Sequence, residues 1–248
     1  QPGLVTVSPE HFSQQMAWLA NKGYHTASCD ALKGFLEGKP LPERSVMITF
    51  DDGYLDNYVH AYPILRQHGL HAVVFVATDW IGNDPATRPV AGESAAPTLL
   101  NHRQCHEHIQ AGRADTVMMR WSEIRRTHAD GVFEIYSHTA SHTRWDKIHA
   151  NAEERIAALS SDLQRSREVL QQQLGQIDTH LCWPQGYFDA DYQATALRLG
   201  FTHLYTTRPG TTLPGSDAAN LPRIVVKDKG AGWLASRIDG PVRREVGE

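Results

Sequence analysis

The chain reads as a single parallel α/β domain of the barrel type. Three observations point there. Short apolar runs alternate with helical patterns along most of the sequence, as successive β/α units require. Acidic and histidine residues stand just past the ends of two such runs, where parallel α/β folds gather their ligands. The length of 248 residues suits one barrel, and no internal repeat or linker divides it.

The elements follow in order. Ser8-Pro9-Glu10 opens a helix with a cap, a proline in the first turn and an acid. Phe12, Met16 and Leu19 give that helix an apolar face, and Gly23 ends it. Residues 46–50 form a short buried strand, apolar and partly β-branched. Asp56 caps a helix carrying Tyr58, Tyr62, Ile64 and Leu65, which stops at Gly69. Residues 72–77 are a continuous apolar strand, 121–127 a short helix and 134–136 a further strand. The longest helical pattern spans 152–174, with a core stripe of Ile156, Leu159, Leu163, Leu170 and Leu174 and a stop at Gly175. A helix over 190–199 closes at Gly200, and strands follow over 203–206 and 224–226. Residues 83–117 are read as a long loop near the mouth of the site, and the tail after Lys227 as peripheral.

Composition excludes some functions. A net charge of -4 gives no electrostatic footprint for nucleic acid or an anionic membrane. No apolar run is long enough to cross a membrane. Three cysteines without paired spacing point to a reducing compartment, so a cytoplasmic placement is favoured, or a periplasmic or secreted one if a signal peptide has been removed from a chain that opens Gln1-Pro2-Gly3. Oligomeric state leaves no mark in the sequence.

Two segments carry the chemistry. Asp51 and Asp52 are adjacent carboxylates at a strand end, followed by Gly53, which lets the chain turn. Side by side they repel, and a metal ion resolves the conflict by binding one and leaving the other as a base. His138 and His142 follow the strand at 134–136. Four residues apart, they can share one face of a helical turn. One carboxylate and two imidazoles make a metal triad with open positions for water and substrate. The alternative is a capping Asp51-Asp52 pair and surface histidines.

Thr49-Phe50-Asp51-Asp52-Gly53, Ser137-His138-Thr139-Ala140-Ser141-His142 and Cys182-Trp183-Pro184-Gln185-Gly186-Tyr187 resemble, in order, three signature motifs of the polysaccharide deacetylase family, the NodB-homology group of carbohydrate esterase family four. The likeness runs from about residue 8 to about residue 223. It implies a distorted (β/α) barrel of the NodB-homology type, whose first strand is either cut off ahead of Gln1 or replaced by another element. It also implies a metal-dependent hydrolase that removes N-acetyl groups from amino sugars of a glycan or glycolipid, such as a surface polysaccharide or lipopolysaccharide.

In that resemblance Asp51 matches the catalytic base, and Asp52, His138 and His142 match the metal ligands. Zn2+ is the expected ion, with Co2+, Ni2+ or Fe2+ also compatible. The backbone around Gln185 matches the oxyanion donor. Pro184 and Gly186 are assigned to the substrate, and so are Tyr54, Trp80 and Tyr187 as aromatic faces for a sugar, with barrel core as the alternative; Trp80 and Tyr187 are favoured for the site because they follow strand ends. Three departures stand out. Gln185 replaces the usual Tyr, Cys182 stands where many members carry an Arg that orients the base, and no His after His203 serves as a late general acid. Arg223 is either the replacement for that Arg or a surface cation. Alternative functions are a deformylase, another linear-amide hydrolase, or an inactive carbohydrate-binding scaffold. His102, Cys105, His106 and His108 are read as polar loop residues, with a second metal site as the alternative.

Overall fold

The computed structural model describes residues 6–175 and 178–239; Gln1-Pro2-Gly3 and the end of the charged tail lie outside them. Helix α1 (Pro9–Asn21) starts as the sequence dictates, with the Ser8 hydroxyl accepting from the His11 amide. A small parallel pair, β1 (His25–Thr26) and β2 (Ser45–Val46), flanks α2 (Cys29–Leu36). The main sheet contains β3 (Thr49–Asp52), β4 (Ala72–Val76), β5 (Phe133–Ser137), β6 (His180–Cys182) and β7 (His203–Tyr205). These five strands are parallel and lie side by side in chain order, curled into a half-barrel with β3 and β7 at its edges.

Side-chain alternation divides the sheet into two faces. Phe50, Val74, Val76, Phe133 and Ile135 pack outward against the helices. Val73, Phe75, Cys182 and Tyr205 line the concave side with Cys29 and Leu221. The covering helices are α3 (Tyr62–His68), α5 (Trp121–Ala129), the short α6 (Trp145–Ile148), α7 (Ala152–Leu174) and α8 (Ala190–Arg198). In α7 the expected stripe holds: Leu159, Leu163 and Leu170 are buried, and Gly175 ends the helix in the left-handed conformation.

Several expectations need correction. The run at 46–50 is not one strand: its first half pairs with β1 and its second half enters the main sheet. An apolar run does not say which neighbour each half will bond. Asp56 does not cap its helix through its side chain. It sits inside the first turn, ahead of a wide turn at Asn57–Ala61. Pro63, in the first turn of α3, has no N–H to give to the preceding turn, which favours that widening. Residues 224–226 form no strand. A single bridge joins Tyr205 to Leu221, and Pro222 has no donor with which to extend the ladder. The segment 83–117 is not wholly loop, because it holds α4 (His102–Gln110), capped reciprocally by Asn101 and Gln104. The tail is not all peripheral either. Helix α9 (Ala231–Ile238) buries Leu234 and packs on α1.

Candidate active site

The site forms at the C-terminal ends of β3, β5 and β6. Asp51 is the penultimate residue of β3 and Asp52 ends it. Ordinary alternation would point the two carboxylates to opposite faces. Asp52 instead adopts φ +72° and Gly53 φ +88°. The left-handed backbone turns Asp52 towards β5. A Cβ on Gly53 would stand 3.0 Å from both Ile81 and Val76, so glycine is required there for space as well as for conformation.

His138 follows β5 directly, and its amide donates to the Val76 carbonyl at 2.9 Å. Its Nδ1 lies 2.7 Å from the Cys182 carbonyl oxygen. A carbonyl can only accept, so Nδ1 carries the proton and Nε2 keeps a lone pair. The two histidines do not share a helical turn, contrary to the spacing argument. They sit on a bent loop in which Thr139 (φ +67°) and His142 (φ +57°) are left-handed. Side chains hold the loop in this shape. The Thr139 hydroxyl accepts from the His142 amide, Ser137 accepts from the Thr139 amide, and Asp162 of α7 accepts from the Ser141 amide, each at 3.0 Å.

The result is a converging donor set. His138 Nε2 and His142 Nε2 stand 3.4 and 3.2 Å from Asp52 Oδ1. That oxygen is buried and receives no hydrogen bond. Burial pushes His142 down to about 3, with the neighbouring His138 adding to the effect, so its ring is neutral and has one unprotonated nitrogen to offer as a ligand. Burial likewise raises Asp52 to about 6, with the charges of Asp51 and Asp56 adding and His138 opposing. An orphaned buried oxygen facing two imidazole nitrogens is an arrangement that a divalent cation satisfies. Asp52, His138 and His142 therefore fit a metal.

A pH dependence follows. Below about 6 the metal-free Asp52 holds a proton, which a cation must displace; above it the carboxylate is already ionised. The apparent affinity for Zn2+ is expected to fall at least about tenfold per pH unit below 6 and to level off above 7. Titration calorimetry at pH 5 and pH 7 checks this, and equal affinities would refute it.

Asp51 has a different environment. Arg223 Nη1 and Nη2 donate to its two oxygens at 2.7 and 2.8 Å. Burial would raise Asp51, but the charge and hydrogen bonds of Arg223 outweigh it and hold the carboxyl well below the usual range. The Arg223 side chain is only 13% exposed, so it is no surface cation. Its Nε also donates to the Thr206 carbonyl, and its amide donates to the Arg208 carbonyl, both at 2.9 Å. Two neighbouring carboxylates are thus driven apart, one held ionised and one made proton-avid.

A sequence model of the family described as polysaccharide deacetylase matches residues 38–204. The chain belongs to the polysaccharide deacetylase family. It is 26% identical over 207 residues to YxkH of Bacillus subtilis (strain 168), covering 83% of this chain and 60% of that protein. It is 25% identical over 244 residues to a poly-beta-1,6-N-acetyl-D-glucosamine N-deacetylase of Staphylococcus aureus (strain MSSA476), covering 95% of this chain and 72% of that enzyme. In fold it resembles the deacetylase PplD of Streptococcus pyogenes, at 21% identity and a TM-score of 0.73 over 95% of this chain and 89% of that one. IcaB from Ammonifex degensii gives the same identity and TM-score over 95% and 91%. The distorted α/β barrel expected from the resemblance is the observed fold, its curled parallel sheet forming a half-barrel.

The remaining family positions cluster unevenly. Trp80 lies against His142, with ring centroids 4.9 Å apart. Tyr54 is turned towards α4, edge-on to His102 at 5.6 Å, and bridges to Met118. Pro184 is buried, while Gln185 is exposed with φ +57°. The amides of Gly186 and Tyr187 are taken by the carbonyls of Trp183 and Pro184, which leaves the Gln185 N–H as the amide this turn can offer. Trp183 is packed inside. Tyr187 lies under the Arg144 guanidinium at 3.7 Å, and Arg144 also reaches the Gln185 side chain at 3.5 Å. A Cβ on Gly186 would sit 2.1 Å from Thr207 Oγ1 and 2.9 Å from its Cβ, at φ +67°. Gly186→Ala is expected to cost about 2 kcal/mol and to lower the melting temperature, as a thermal scan would show.

His102, Cys105, His106 and His108 lie along α4 and form no converging donor set among the described residues. Among the described residues the converging donor sets are Asp52, His138, His142 and Asp51, His138, Cys182. His108 bonds Thr116, His106 contacts Gln110, and Cys105 is buried. Sequence reasoning missed Asp162, which also accepts from Trp145 Nε1 at 3.3 Å. An acid between Leu159 and Leu163 on the buried stripe of α7 was the available signal.

Proposed function

We propose that this chain is a divalent-metal-dependent N-deacetylase acting on a surface polysaccharide of N-acetylated hexosamines. The observation that carries the reading is the orphaned Asp52 oxygen facing two imidazole nitrogens, beside a second carboxylate gripped by arginine. The name of the staphylococcal relative favours a poly-N-acetylglucosamine over lipopolysaccharide, chitin or peptidoglycan as the glycan.

A divalent cation on Asp52, His138 and His142, Zn2+ above all, supplies Lewis acidity that polarises the amide carbonyl and acidifies water. Asp51 takes the proton from the attacking water. Its depressed proton affinity makes it too weak a base for ordinary water, which is why the reading needs an acidified one. The same weakness makes the protonated Asp51 a good donor, ready to return its proton to the departing amine. The Gln185 N–H is assigned to the developing oxyanion. Trp80 and Tyr187 supply faces for the sugar.

The test is acetate release from poly-β-1,6-N-acetylglucosamine, chitin oligomers and peptidoglycan by protein loaded with Zn2+, Co2+ or Ni2+. Release from the first, abolished by chelator and restored by metal, supports the proposal. Formate release from formylated amino sugars in place of acetate would move the activity to a deformylase. Glycan binding without any release would make the chain a binding scaffold.

A further inference from the structure

Cys182 ends β6 and is fully buried. Its Sγ lies 3.6 Å from Asp51 Oδ1. Arg223 Nη2, which bonds Asp51 Oδ2, also stands 2.9 Å from that sulfur. The backbone oxygen of the same residue fixes the His138 ring at 2.7 Å. One residue thus touches the base through its side chain and a metal ligand through its main chain.

We infer that Cys182 is a positioning residue for the base, its thiol donating to Asp51 Oδ1 while its sulfur receives the edge of Arg223. The inference rests on the reading of Asp51 as the base. Oδ1 then has two donors, Arg223 Nη1 and the thiol, whereas Oδ2 has Nη2. The carboxylate is held against rotation, and Oδ2 keeps the freer lone pair for the proton of water. Burial pushes the thiol well above its ordinary range, with the Arg223 charge opposing, so the sulfur keeps its hydrogen. Its part is that of a donor and not of a nucleophile.

Three variants separate this from packing. Cys182→Val fills the site with a somewhat larger apolar side chain and removes the S–H. Cys182→Ala removes both. Cys182→Ser keeps a donor. The inference expects kcat for acetate release to fall about tenfold in the Val and Ala variants, the size of one weak hydrogen bond to a charged group. KM and bound zinc stay unchanged, and Ser recovers most of the loss. Wild-type kcat in the Val variant, or a Ser variant as poor as Val, overturns it. A second readout needs no turnover. The infrared S–H stretch that disappears in Cys182→Val should move to higher frequency in Asp51→Ala, and an unmoved band would refute the hydrogen bond. If the wild-type protein releases no acetate, the proposed function fails on its own, and the infrared band still decides the contact.

Discussion

Asp51→Asn is expected to lower kcat for acetate release by about 10³-fold, within the range for loss of a general base, while bound zinc stays near one ion per chain. The reason lies in the division of labour between the two carboxylates. Asp52 belongs to the converging donor set with His138 and His142, whereas Asp51 is turned to Arg223. An amide of the same shape keeps the packing but cannot take a proton. It also leaves Arg223 without its counter-charge. Because Asp51 is 33% exposed, water screens part of that loss, and a stability cost of about 1–3 kcal/mol is expected. Kinetics, zinc analysis and a denaturant melt on one preparation give all three numbers. Unchanged turnover would remove Asp51 from the mechanism, and a carbohydrate-binding scaffold would show unchanged affinity for glycan.

The second large effect belongs to His138→Ala. This change removes one of the two imidazoles proposed as ligands, and the zinc affinity is expected to fall by well over about 100-fold, since even the loss of a partner behind a ligand costs that much. Acetate release goes with it. His138 is only 2% exposed and bonds the Cys182 carbonyl, so the change also empties a buried space and orphans that oxygen. A fall of about 2–3 kcal/mol in metal-free stability is expected. His142→Ala, at a half-buried ring, should lose zinc with a smaller loss of stability. That contrast separates the ligand role from packing. Zinc affinity that survives both changes would refute the assigned triad.

The candidate site was legible because it depends on residue types in order. Adjacent carboxylates at a strand end conflict unless something binds one of them, and no geometry is needed to see it. The strand at 72–77 and helices 121–127 and 152–174 were legible for a similar reason: burial imposes a period on the sequence. The small β1–β2 pair, β6 and α2 left weaker traces. Two- and three-residue strands have no period to read. Helix α4 is mostly polar, and only its Asn101–Gln104 cap announced it.

The sequence by itself determined the family and the fold class, and it singled out Asp51, the Asp52-His138-His142 set proposed as metal ligands, and Arg223 as a candidate partner of Asp51. Only the tertiary structure decided between Arg223 as surface cation and as the group that holds Asp51 ionised, because 172 positions separate the two residues and no local pattern spans that distance. It also decided how His138 and His142 converge. Their spacing suggested a helical turn, but two left-handed residues tied by Ser137, Thr139 and Asp162 bring the rings together. Periodicity reports which residues are buried; it carries no record of the side-chain bonds that hold a loop in a conformation its residues would not choose alone.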